Sequence, residues 1–192
     1  MMTTQYRHVV MIGMMGVGKS TIGRLVAARL GWDFWDNDEA LGAATGITAG
    51  EFQRRHGQPA LHRIENRLLR EALQSRDHAV LAAAGSVVLE PELVSGELTV
   101  WLRVSLEREH ENIAHSGQHH RPLPGNAAAL LQKLSAARLP MYEAIADITI
   151  EVTRDPKSTA DRVIEALRAR GLQVPPVDPS PDPHDVSIGP HG

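Results

Sequence analysis

The chain has 192 residues, 42% of them hydrophobic and 22% charged, which predicts one soluble globular domain with room for a tail. Its formal net charge of −3 lacks the basic footprint of a nucleic-acid binder, and with no cysteine it has neither a disulfide framework nor a thiolate zinc site. Aromatic residues make up only 4%, so the core must be mainly Ala, Leu, Val, Ile and Met, which favours helix-rich α/β packing. No window approaches the ~18 consecutive apolar residues of a membrane span, and no secretory signal precedes the first glycines. The cytoplasm is therefore the expected location.

His8 to Ile12 (HVVMI) is an apolar run suited to a buried strand. Ser20 to Leu30 has helical spacing and a stop at Gly31. Trp32 to Trp35 predicts a second strand, closed by Asp36, with Trp32 and Trp35 in the core. Residues 38–75 read as helical, broken at TGIT and HGQP; the piece from Pro59 to Leu73 is amphipathic and opens with proline in its first turn. Strands follow at Ala79 to Ala83 and Leu98 to Val104, with a short turn or helix between them. A polar helix over 105–114 leads into the Gly-, Pro- and His-rich loop HSGQHHRPLPGN, then into a long helix over 127–145 containing Pro140. Ile148 to Val152 is the last strand and Ser158 to Arg170 the last helix. From Gly171 onward come six of the twelve prolines, so 171–192 is expected to be a disordered tail. Alternating strands and helices imply a parallel sheet covered on both faces.

Between the first strand and first helix lies GMMGVGKS, which satisfies G-x-x-x-x-G-K-[ST] in the required context. Glycines let backbone N–H groups face an anion, and the helix N-terminus adds partial positive charge. The nucleotide-binding set is then Gly13, Gly16, Val17, Gly18, Lys19, Ser20 and Thr21. Lys19 supplies an ammonium for the β/γ-phosphates, and the Ser20 hydroxyl suits Mg²⁺. ATP and Mg²⁺ are the expected cofactors. Asp36-Asn37-Asp38, after the second strand, should lie at the carboxyl edge of the sheet, where ligands collect, although aspartates here also suit a helix cap.

With GMMGVGKSTIGRLVAARLGWDFWDND the chain resembles the shikimate kinase family, which carries GxxGxGKSTxGxxLA and then D-[ST]-D at this distance. The likeness continues through HRIEN, VLAAAGSVV (family VLATGGGSV), RPL and RLPMYEAIADITI, over about residues 6 to 170. It implies an α/β, nucleoside-monophosphate-kinase-like fold: a three-layer αβα P-loop domain over residues 1–170, with a five-stranded parallel sheet, a substrate-binding helical insert and a mobile lid at about 113–126.

The resemblance also implies roles. Asp36 would join Ser20 at the magnesium, and Arg121 would close over the transferred phosphate. Pro156, in the loop after the last strand, would lie beside adenine. Asp38 would hydrogen-bond the acceptor and take the nucleophile's proton, making Lys19, Asp38 and Arg121 the catalytic set. Arg138 would hold the acceptor's carboxylate, with Gly85 and position 62 completing the acceptor site.

Three departures stand out. Position 62 is His where the family has a second carboxylate-holding arginine; Arg63 is adjacent, but one helical residue is a turn of about 100°, so it should point elsewhere. The family's three glycines are Ala84-Gly85-Ser86, adding side chains where substrate would approach backbone, and a lid arginine is missing near Ala114. Losing one bidentate arginine–carboxylate contact costs about 1.5–3 kcal/mol, or roughly ten- to a hundredfold in binding.

The acceptor is thus left open at this level. Shikimate, giving the 3-phosphate, comes first; a cyclitol or a sugar acid such as gluconate is the alternative. A non-catalytic nucleotide- or ligand-sensing module is the alternative from another class, though it has no need of the whole transfer set. The three lid histidines, His115, His119 and His120, lack nearby carboxylates and make a poor metal frame. A small-molecule acceptor is the expected partner, with no nucleic acid or membrane, and the expected state is a monomer.

Overall fold

The structure is a computed structural model that describes residues 6–103 and 137–175. The expected helix at 105–114, the lid with Ala114 and Arg121, the first part of the helix at 127–145, and the tail from 176 lie outside the described residues.

Five parallel strands form one sheet in the order β2-β3-β1-β4-β5: β1 (His8–Ile12), β2 (Asp33–Asp36), β3 (Ala79–Ala82), β4 (Leu98–Arg103) and β5 (Ile148–Glu151). The helices are α1 (Lys19–Leu30), α2 (Asn37–Thr45), α3 (Ala49–His56), α4 (Gln58–Ser75), α5 (residues 137–145) and α6 (Pro156–Ala169). Two 3-10 turns, Val87–Leu89 and Pro91–Val94, bridge β3 to β4.

Strand side chains alternate between faces. Val9 and Met11 join the core against α1 and α6, with Val26, Leu30, Val163 and Leu167. Val10 and Ile12 face the opposite layer, with Leu41, Leu61 and Leu69 from α2 and α4. Because both faces are covered, β1 is wholly buried and reads as an unbroken apolar run. This is the expected three-layer αβα architecture, and it brings the segments after β1, β2 and β3 to one sheet edge.

Several boundaries differ from the sequence reading. Trp32 is not in β2, because its N–H closes α1 by donating to the Ala27 carbonyl (3.0 Å). Pairing starts at Asp33, whose N–H reaches the His78 carbonyl (3.1 Å). The last helix begins two residues earlier than expected. Asp155 caps it, accepting from the Lys157 and Ser158 N–H groups, and Pro156 occupies its first turn. Pro156 is thus an exposed helical residue and not a loop residue.

The folded unit also runs past the boundary expected after residue 170. Gly171 takes φ 85°; its N–H donates to Arg168 O (2.9 Å), and the Leu172 N–H to Leu167 O (3.1 Å). That is a Schellman closure, whose apolar partner packs back on the helix. Leu172 is only 8% exposed and belongs to the α1/α6 core, with Val174 against it. Ending the chain at Gly171 should therefore cost about 2 kcal/mol and lower Tm by about 5 °C; an unchanged melting curve would show that Leu172 contributes nothing.

Candidate active site

β1 delivers its chain directly into the phosphate loop. Gly13 has φ 146°, and a Cβ there would stand 2.7 Å from the Leu102 carbonyl of β4, so only glycine fits where β1 leaves the sheet. Gly18, with φ 100°, caps α1. Val17 turns its side chain into the core, leaving backbone as its contribution to the loop. The Lys19 Nζ donates to the Gly13 and Met14 carbonyls, both at 2.9 Å, placing its ammonium over the loop. Thr21 is exposed in the first turn of α1.

The Ser20 hydroxyl donates to Asp36 Oδ2 at 2.6 Å. Asp36 Oδ1 accepts from the Asp38 and Glu39 N–H groups, at 2.9 and 3.2 Å. Asp36 therefore caps α2 with one oxygen and meets Ser20 with the other, so the cap leaves the second oxygen at the place the metal reading requires. A hydroxyl and a carboxylate oxygen in contact beside a glycine-rich anion cradle is a donor set that fits Mg²⁺. Asp38 is exposed in the first turn of α2, beside this pair.

A cleft of about 400 Å³ is lined by Gln58, Pro59 and His62 of α4, Leu89, and Ala137, Arg138 and Met141 of α5. His62 and Arg138 thus face one space. Arg63 is exposed and does not line it, as the helical phase required. A Cβ on Gly85 would lie 3.4 Å from Arg138 Nη1, 3.4 Å from the Tyr142 hydroxyl and 3.7 Å from the Gly13 carbonyl. Gly85 therefore lies between Arg138, which lines the cleft, and the Gly13 carbonyl of the phosphate loop.

The expected intrusion by Ser86 does not occur. Its side chain is fully buried and turned onto Glu65, where it donates to Oε2 at 2.6 Å. Arg121 lies outside the described residues, and Pro156 stands at the head of α6.

Two site-building residues carry no role in the sequence reading. Tyr142 is fully buried, stacks on Trp101 at 5.7 Å, and donates its hydroxyl to the Gly85 carbonyl at 3.2 Å. Its signal was the i+4 spacing from Arg138, which sets both on one face of α5. Asn37 is buried and donates its Nδ2 to the Glu65 carbonyl at 3.1 Å.

The family model described as SKI, shikimate kinase, matches residues 15–168. The chain belongs to the shikimate kinase family. Among curated shikimate kinases, that of Paramagnetospirillum magneticum is 36% identical over 168 residues, 84% of this chain and 84% of the relative. That of Pseudomonas syringae pv. syringae is 36% identical over 176 residues, 88% of this chain and 99% of the relative. A solved shikimate kinase from Acinetobacter baumannii, in complex with shikimate, matches with TM-score 0.80 at 26% identity, covering 88% of this chain and 96% of that one. Deoxyadenosine kinase from M. mycoides, at TM-score 0.59 and 14% identity, shares the fold alone. The family membership makes the protein a kinase that transfers phosphate to a hydroxyl. No helix among the described residues is long and apolar enough to cross a membrane.

Proposed function

We propose that the chain transfers the γ-phosphoryl group of ATP to a hydroxyl of shikimate, giving the 3-phosphate, as a monomer in the cytoplasm. The observation that carries this reading is the position of Gly85, where an added Cβ would meet both the Arg138 guanidinium and the Gly13 carbonyl of the phosphate loop. A small acid held by Arg138 in this cleft has its ring beside the phosphates.

The chemistry follows from the groups present. The loop N–H groups and Lys19 hold the β- and γ-phosphates. Ser20 and Asp36 would hold Mg²⁺, which supplies positive charge to the phosphate oxygens. Asp38 orients the acceptor hydroxyl and accepts its proton as the new O–P bond forms and the bond from Pγ to the ADP oxygen breaks. Arg121 is proposed to close over the transferred group, where a guanidinium offsets the charge spread over its oxygens. Pro156 keeps the adenine side of this proposal. Apolar Leu89, Pro59 and Met141 give the ring a wall, and Arg138 and His62 meet its carboxylate.

His62 is the weaker of the two carboxylate holders, because a neutral imidazole offers one N–H and a guanidinium five in a fixed fork. ADP release from Mg·ATP should depend on shikimate, and His62→Arg should lower the shikimate KM about ten- to a hundredfold while leaving the ATP KM unchanged. A raised or unchanged shikimate KM would mean that the carboxylate does not lie between α4 and α5.

A further inference from the structure

We propose that Ser86 is a positioning residue for the acceptor, acting through Glu65 to hold the substrate helix α4 in register with the Gly85 loop. The inference rests on the acceptor reading above and deepens it. Ser86 and Glu65 are 0% and 1% exposed, and the hydroxyl-to-carboxyl bond of 2.6 Å joins the loop after β3 to the middle of α4. Such a bond in a buried interior is stronger than at the surface, and removing its donor loosens the hold of the loop on the Glu65 carboxyl.

What Glu65 touches makes this more than a packing contact. It lies one helical turn beyond His62, so whatever fixes Glu65 also fixes the height at which His62 enters the cleft. Its carbonyl accepts from Asn37, the residue between Asp36 and Asp38. On the other side, Ser86 adjoins Gly85, whose carbonyl is held by Tyr142, one turn beyond Arg138 on α5. A continuous series of contacts therefore runs from the α2 turn bearing Asp38, through Glu65 and Ser86, to the helix bearing Arg138. The Ser86–Glu65 bond is the member that crosses from α4 to the loop.

The test is steady-state kinetics on Ser86→Ala, with Ser86→Gly as the second variant should the first fail to fold. The expected result is a shikimate KM raised about tenfold, with kcat and the ATP KM within about twofold of wild type. A fall in Tm with both KM values unchanged would overturn the proposal and leave the bond a purely structural one, while wild-type turnover of shikimate kept the acceptor reading intact. If the wild type itself does not turn over shikimate, the acceptor reading fails separately, and amide hydrogen exchange decides the positioning role. Ser86→Ala should then speed exchange in 58–66 and 84–86 and leave 16–23 unchanged; unaltered exchange in those two segments overturns it.

Discussion

Lys19→Ala is expected to lower phosphoryl transfer by at least about a thousandfold while leaving the fold in place. Phosphoryl transfer requires little covalent help from the protein, so the charge aimed at the phosphates carries much of the rate. The Lys19 ammonium sits on the Gly13 and Met14 carbonyls of the loop itself. Losing those two half-exposed hydrogen bonds should cost about 1 kcal/mol or less in stability. Retention of more than about a tenth of wild-type turnover, measured as ADP release, would show that the loop does not hold the transferred phosphate.

Asp38→Asn should lower turnover about a hundred- to ten-thousandfold, the range that a positioned general base supplies, with ATP binding unchanged. The amide keeps the size of the carboxylate and loses its capacity to take a proton. Since Asp38 is exposed and its N–H, not its side chain, bonds to Asp36, the α2 cap survives the change. The expected stability change is a few tenths of a kcal/mol, from removing a negative charge near a helix N-terminus. Normal shikimate turnover in the variant would assign the proton to another acceptor; weakened ATP binding would mean the substitution had disturbed the Ser20–Asp36 pair.

Sequence periodicity located what local geometry dictates. HVVMI reads as a buried strand because both faces of β1 are covered, and GMMGVGKS reads as an anion cradle because Gly13 leaves β1 at a φ and a distance from Leu102 that only glycine tolerates. His62 and Arg138 were placed in one cleft, and Arg63 outside it, by helical phase and resemblance together. Departures arose where a residue's partner is remote. Trp32 has strand propensity, but the αL turn at Gly31 spends its N–H on Ala27. Pro156 follows a strand, but Asp155 next to it starts a helix at once.

Ser86 looked like an obstruction because sequence shows that a side chain was added and not which way it points; a carboxyl 21 residues upstream decides that. Tyr142 acts on a glycine 57 residues away. Leu172 was legible in principle, as a leucine directly after the C-terminal Gly171, yet the prolines that follow outweighed that local signal.

The most direct test is the formation of phosphorylated shikimate, detected by mass after incubation of the full chain with Mg·ATP and shikimate, with Lys19→Ala as the blank. The account predicts a product one phosphoryl group heavier than shikimate, formed in step with ADP and absent from the blank. ATP-binding protein that yields no such product with millimolar shikimate would contradict it.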